Sequence, residues 1–137
     1  GTLVLDVYNA NTLSMEAALS AFAEERVAGD RWLVLGGMNE LGAAEIEAHR
    51  ELARRAAAGP WAGIIAVGER GRWILEGARE TGCADRRLAA AETASAAADR
   101  LHGQWRPGDL ALVKASRGER LERVADRLDE LGGKESA

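Results

Sequence analysis

Leu3-Val4-Leu5-Asp6-Val7-Tyr8-Asn9-Ala10-Asn11-Thr12 passes from an apolar run to polar turn formers. The run at 3–7 is too short for a helix, and Met15, Ala18, Leu19 and Phe22 then follow at i, i+3, i+4 and i+7, the spacing of one helix face. A strand that turns directly into an amphipathic helix opens a βαβ unit. Three further apolar runs, at 32–35, 64–67 and 110–113, are equally short and run into Gly or Lys. They read as parallel strands buried on both faces.

Helical stretches lie between the runs. Short polar residues near 11–14 can cap the first helix, and the second, at 43–58, is rich in Ala and Glu and is stopped by Gly59-Pro60. Residues 68–81 and 92–101 supply two more, with a weakly signalled strand at 87–89 before the latter. Pro107-Gly108-Asp109 is a turn into 110–113, and Leu121, Val124, Ala125 and Leu128 carry the helical spacing of a last helix that ends at Gly132-Gly133. The tail at 134–137 is expected to fray. The fold expected is a three-layer, Rossmann-like α/β domain with a mostly parallel sheet of about five or six strands flanked by helices.

Composition agrees. A chain of 137 residues is one domain, 1–137, and 16 Gly against 2 Pro suits helices packed on a sheet with glycine at the turns. The net charge of −4 argues against a polybasic nucleic-acid or membrane surface, so neither partner is expected. A single cysteine, Cys83, excludes an internal disulfide and a multi-cysteine metal site and suits a reducing compartment, with the cytoplasm as the expected location. No apolar run is long enough to span a membrane, and the start lacks the basic and apolar regions of a signal peptide. A chain that opens inside a strand reads as one domain of a longer protein, or as a short chain that starts this way.

Open parallel sheets bind ligands beyond the carboxyl ends of their strands, so the residues after each run are the candidates. Asp6 either accepts hydrogen bonds from sugar hydroxyls or caps the next turn. Tyr8 can stack on a base or pack under the sheet edge. Asn9 and Asn11 offer donors and acceptors to an adenine edge or a phosphate, or serve the turn. After the second run, Gly36, Gly37 and Gly42 bracket a loop whose one charge is Glu40. Gly68-Glu69-Arg70-Gly71 follows the third. Lys114-Ala115-Ser116-Arg117-Gly118 is the strongest local signal: hydroxyl, guanidinium, ammonium and backbone N–H groups gather where a helix begins near Glu119. Arg117 can hold a carboxylate or phosphate bidentately, with Lys114 as a point charge; the alternative is a Ser cap beside two solvated cations.

Other residues carry less. His49, mid-helix, reads as a packed or surface histidine, His102 sits near a helix carboxyl end, Cys83 has no basic neighbour, and Trp32, Trp61, Trp73 and Trp105 share no spacing. There is no phosphate-loop, dinucleotide, zincin or nucleophile-elbow motif, and no metal site or catalytic residue is assigned within these residues.

The segments Leu5-Asp6-Val7-Tyr8-Asn9-Ala10-Asn11-Thr12-Leu13-Ser14-Met15, Leu33-Val34-Leu35-Gly36-Gly37-Met38-Asn39-Glu40-Leu41-Gly42 and Leu112-Val113-Lys114-Ala115-Ser116-Arg117 together resemble the C-terminal domain of the Mur ligases, nearly end to end and in the family's order. The likeness is greatest to the branch that adds D-alanyl-D-alanine. The family usually has Pro at Thr12, Asp at Gly37, Leu at Asn39 and Gly at Ala115, so a role for a carboxylate at position 37 does not carry over.

The resemblance implies an ATP-dependent, ADP-forming amide ligase of peptidoglycan precursor synthesis, with UDP-N-acetylmuramoyl-tripeptide bound through other domains. The N-terminal and central ATPase domains, with the phosphate loop and the Mg²⁺ ligands, are absent from this chain, so the domain is expected to be inactive alone. Asp6, Tyr8, Asn9 and Asn11 match the nucleotide segment, and Lys114, Ser116 and Arg117 the segment facing D-alanyl-D-alanine. Gly36, Glu40 and His49 match family-like positions with no role beyond shaping the loop. The alternative is a free-standing Rossmann-like regulatory module that binds a nucleotide or small acid.

Overall fold

The computed structural model describes residues 1–6, 12–36, 45–114 and 123–132. Among the described residues five strands and five helices alternate: β1 (Thr2–Asp6), α1 (Thr12–Glu24), β2 (Arg31–Leu35), α2 (Glu45–Ala57), β3 (Gly63–Val67), α3 (Gly71–Glu80), β4 (Leu88–Ala91), α4 (Ala94–His102), β5 (Leu110–Lys114) and α5 (Arg123–Gly132). A 3₁₀ turn over Asp85–Arg87, which the sequence did not signal, leads into β4. The strands form one sheet in the order β1-β5-β2-β3-β4, and every pair is parallel.

The alternation within each strand sorts its side chains into two cores. Leu33 and Leu35 of β2, Ile64 and Ala66 of β3, and Leu110 and Leu112 of β5 pack beneath α1, α2 and α3. Trp32, Val34, Ile65, Val67, Ala111 and Val113 pack on the other face beneath α4 and α5. The three interior strands β5, β2 and β3 are therefore buried on both sides, which is why their sequences read as unbroken apolar runs. β1 lies at the edge and leaves Val4 exposed.

Packing in the first layer is close. Gly77 of α3 stands where an added Cβ would come within 2.5 Å of the Arg50 carbonyl oxygen, so the backbones of α2 and α3 approach as only glycine allows. Arg50–Glu76 at 3.0 Å and Arg54–Glu80 at 3.1 Å tie the exposed sides of the same two helices. Phe22 and Trp61 stack with ring centroids 5.5 Å apart, closing the core under α1.

At the amino ends of the strands, Asp109 organises three chain segments. Its carboxylate accepts hydrogen bonds from the Asp30 N–H at 2.8 Å, the Trp32 indole N–H at 2.9 Å and the Arg106 N–H at 3.0 Å. Its carbonyl oxygen accepts from the Thr2 N–H at 2.8 Å. Burial pushes the Asp109 carboxyl up, but the three donors outweigh it and hold the group below the usual carboxylate range. The turn at Pro107-Gly108-Asp109 is thus also the clamp that aligns β1, β5 and β2.

Candidate functional site

The direction in which the strands are laid down reverses at β5. The chain moves from β1 to β2, β3 and β4 with α1, α2 and α3 on one face, then returns through α4 on the other face to insert β5 between β1 and β2. The helix after β5 packs on the face opposite to the helices after its neighbours. Such a divergence opens a crevice beyond the carboxyl ends of the strands, and open α/β sheets take their ligands there.

The register decides what meets at that crevice. Lys114, the last residue of β5, pairs with Asp6, the last residue of β1, on one side and with Leu35, the last residue of β2, on the other. The Gly36 N–H donates to the Lys114 carbonyl oxygen at 3.0 Å, continuing the ladder one step beyond β2. Lys114 thus stands between Asp6 and Gly36, each more than 70 residues before it in the chain.

Lys114 is 2% exposed, which removes the option of a solvated strand-end cation. Gly68 and Gly71, beyond β3, stand on the same carboxyl-end rim. The Gly68 N–H donates to Ala91 at 2.9 Å, and its φ of 82° lies in the left-handed region, so glycine is needed to turn from β3 toward α3. His49 is completely buried in α2, and its ring lies 5.4 Å from that of Trp73 in the first turn of α3, tilted by 58°. The histidine is thus a packed group, and its meeting with Trp73 had no signature in sequence because the two residues lie on different helices.

Of the remaining candidates, Tyr8, Asn9, Asn11, Glu40, Ser116 and Arg117 lie outside the described residues, as do Gly37, Gly42 and Gly118. Among the described residues no group of three His, Cys, Asp or Glu side chains could hold a metal. No described helix is long and apolar enough to cross a membrane. An outer cleft between α4 and α5 is spanned by Arg127, which bonds Asp99 and Glu130 at 2.9 Å each.

A five-stranded, parallel, doubly covered sheet with a polar rim at its reversal point is an open α/β domain of the kind that binds ligands at its carboxyl end. A family model described as "Mur ligase, glutamate ligase domain" matches residues 1–117, and the chain belongs to that family. It is 37% identical over 145 residues to the UDP-N-acetylmuramoyl-tripeptide–D-alanyl-D-alanine ligase of Mycobacterium tuberculosis, covering 93% of this chain and 28% of that protein. With the ligase of the same name from Treponema pallidum the identity is 38% over 125 residues, covering 90% of this chain and 26% of the relative. The fold superposes on the crystal structure of MurF ligase from Thermotoga maritima in complex with ADP with a TM-score of 0.74 and 25% identity, over 93% of this chain and 28% of that one. The chain thus spans less than a third of the length of these relatives.

Proposed function

We propose that this chain is the domain of an ATP-dependent ligase that joins D-alanyl-D-alanine to UDP-N-acetylmuramoyl-tripeptide in cytoplasmic peptidoglycan precursor synthesis, and that it supplies the dipeptide site and one wall of the ATP site. The observation that carries this reading is the register that sets Asp6 beside Lys114 at the reversal point of the sheet. Two of the segments that match the family's nucleotide and amino-component motifs thereby become neighbours. The relatives named for this reaction support the same assignment.

In that reaction the tripeptide carboxylate takes a phosphoryl group from ATP, the dipeptide amine attacks the acyl phosphate, and ADP and phosphate depart. Asp6, with Tyr8, Asn9 and Asn11, is assigned to the nucleotide, the ionised carboxylate accepting hydrogen bonds from ribose hydroxyls. The segment from Lys114 through Ser116 and Arg117 is assigned to the dipeptide side, where a guanidinium binds a carboxylate bidentately. The domain's share of the catalysis is orientation of the amine and, by closing on the remainder of the enzyme, exclusion of water from the acyl phosphate.

The test is turnover. The complete polypeptide is expected to release ADP from ATP and form the amide product only when both tripeptide and D-alanyl-D-alanine are present, and the chain 1–137 alone is expected to show no turnover. Steady-state ligation or ATP hydrolysis by the isolated chain would refute this division of labour and favour a free-standing nucleotide-binding module.

A further inference from the structure

We propose that His49 is a positioning residue for the dipeptide side of the crevice, acting on the Lys114 end of β5 from the α2 side of the sheet. The inference rests on the ligase reading above and deepens it. Along α2, His49, Leu52, Ala53 and Ala56 are all buried and follow the spacing i, i+3, i+4 and i+7. Leu52, Ala53 and Ala56 pack into the first core, and His49 continues their stripe one turn nearer the start of the helix. An apolar residue would complete that stripe without burying a polar group. A buried imidazole needs its ring nitrogens hydrogen-bonded, and it then presents a donor and an acceptor in fixed directions.

Topology and packing give the level of that ring in the sheet. α2 leads from the carboxyl end of β2 to the amino end of the parallel strand β3, so its first turns lie at the rim. The ring of His49 is 5.4 Å from that of Trp73 in α3. Gly71, two residues before Trp73, stands so close over β3 that an added Cβ would come within 3.1 Å of the Ala66 carbonyl carbon. Ala66 pairs with Leu35, and Leu35 pairs with Lys114. The histidine and the lysine therefore belong to one level of the sheet. By alternation Lys114 shares the face of Leu110 and Leu112, which is the face that α2 covers. Among the described residues the buried polar side chains are His49, Lys114 and, at the opposite end of the strands, Asp109. Two polar groups are thus buried at one end of an otherwise apolar layer, where a fixed imidazole limits the positions open to the ammonium. A cation held in place in advance binds a carboxylate with less loss of freedom.

The test uses the complete polypeptide that carries this domain. His49→Phe keeps a ring against Trp73 but removes both nitrogens. It is expected to raise the KM for D-alanyl-D-alanine about tenfold and to leave that for ATP within about twofold. His49→Asn and His49→Gln place an amide near one ring nitrogen or the other, and one of the two is expected to restore part of the loss. Lys114→Arg is expected to raise the same KM, and the pair His49→Phe with Lys114→Arg to be no worse than the worse single variant, because the two residues act as a unit. Penalties that add in the pair, or a rise in KM for ATP equal to that for the dipeptide, overturn the inference. If His49→Phe does not fold, the cycle is run with His49→Asn and His49→Gln, and additive penalties in both overturn it. If the wild-type polypeptide forms no amide from ATP, tripeptide and dipeptide, the ligase reading fails first. Normal wild-type ligation with an unchanged dipeptide KM in His49→Phe overturns this inference alone.

Discussion

Asp109 shows how much of a single side chain's role stays hidden in a correctly read turn. In Pro107-Gly108-Asp109 it reads as a turn residue, yet its buried carboxylate holds the Asp30 N–H, the Trp32 indole and the Arg106 N–H. Replacing it with Ala strands three donors, so Asp109→Ala is expected to cost about 2–4 kcal/mol in urea denaturation of the chain. Because the folded-state pKa is depressed, the stabilisation is fully present above the unfolded aspartate value of about 4 and is lost as pH falls through the folded value. Wild-type stability should therefore decline with acidification below about pH 4 more steeply than that of Asp109→Asn, and parallel curves would show that the carboxylate is not the group involved. For Lys114 the sequence left a solvated cation open, and burial closes that alternative. A strand-end lysine looks solvated until the register and the covering helices are known, and both are long-range properties.

At the scale of elements, legibility tracked burial. β2, β3 and β5 announced themselves because both of their faces are covered and nearly every residue is apolar. β4, Leu-Ala-Ala-Ala at the opposite edge, is only partly buried and gave a weak signal that the sheet nevertheless uses. The cap of α4 was not read from the sequence: the Thr93 hydroxyl accepts from the Ala96 N–H at 3.1 Å and starts the helix at Ala94. Thr93→Ala should lower stability by about 1 kcal/mol and Thr93→Asp should not, as read from thermal unfolding. Close approach of helices was not legible. Gly77→Ala would gain about 1 kcal/mol of helix propensity, but the new methyl would meet the Arg50 carbonyl at 2.5 Å and the Ala53 Cβ at 2.8 Å. Forcing α2 and α3 apart costs about 1–3 kcal/mol, so the net result expected is destabilisation, and a raised melting temperature would show that the helices separate without strain.

For the whole molecule, the sequence conveyed the alternation of strands and helices and the rim on which polar segments fall, because both are written in local patterning. It did not convey that β5 inserts between β1 and β2, since strand order is chosen by packing between residues far apart in the chain. That insertion gives the rim its meaning: it joins the acidic end of β1 to the lysine end of β5 across one ladder step. The central claim is that this crevice carries the nucleotide on its β1 side and the dipeptide carboxylate on the segment after β5. Steady-state kinetics of the complete polypeptide with Asp6→Ala, Ser116→Ala and Arg117→Ala tests it most directly. Asp6→Ala should raise the KM for ATP, and Ser116→Ala and Arg117→Ala the KM for D-alanyl-D-alanine, each by about 10–100-fold. Exchange of the two effects, or unchanged dipeptide kinetics in both Ser116→Ala and Arg117→Ala, would contradict the account.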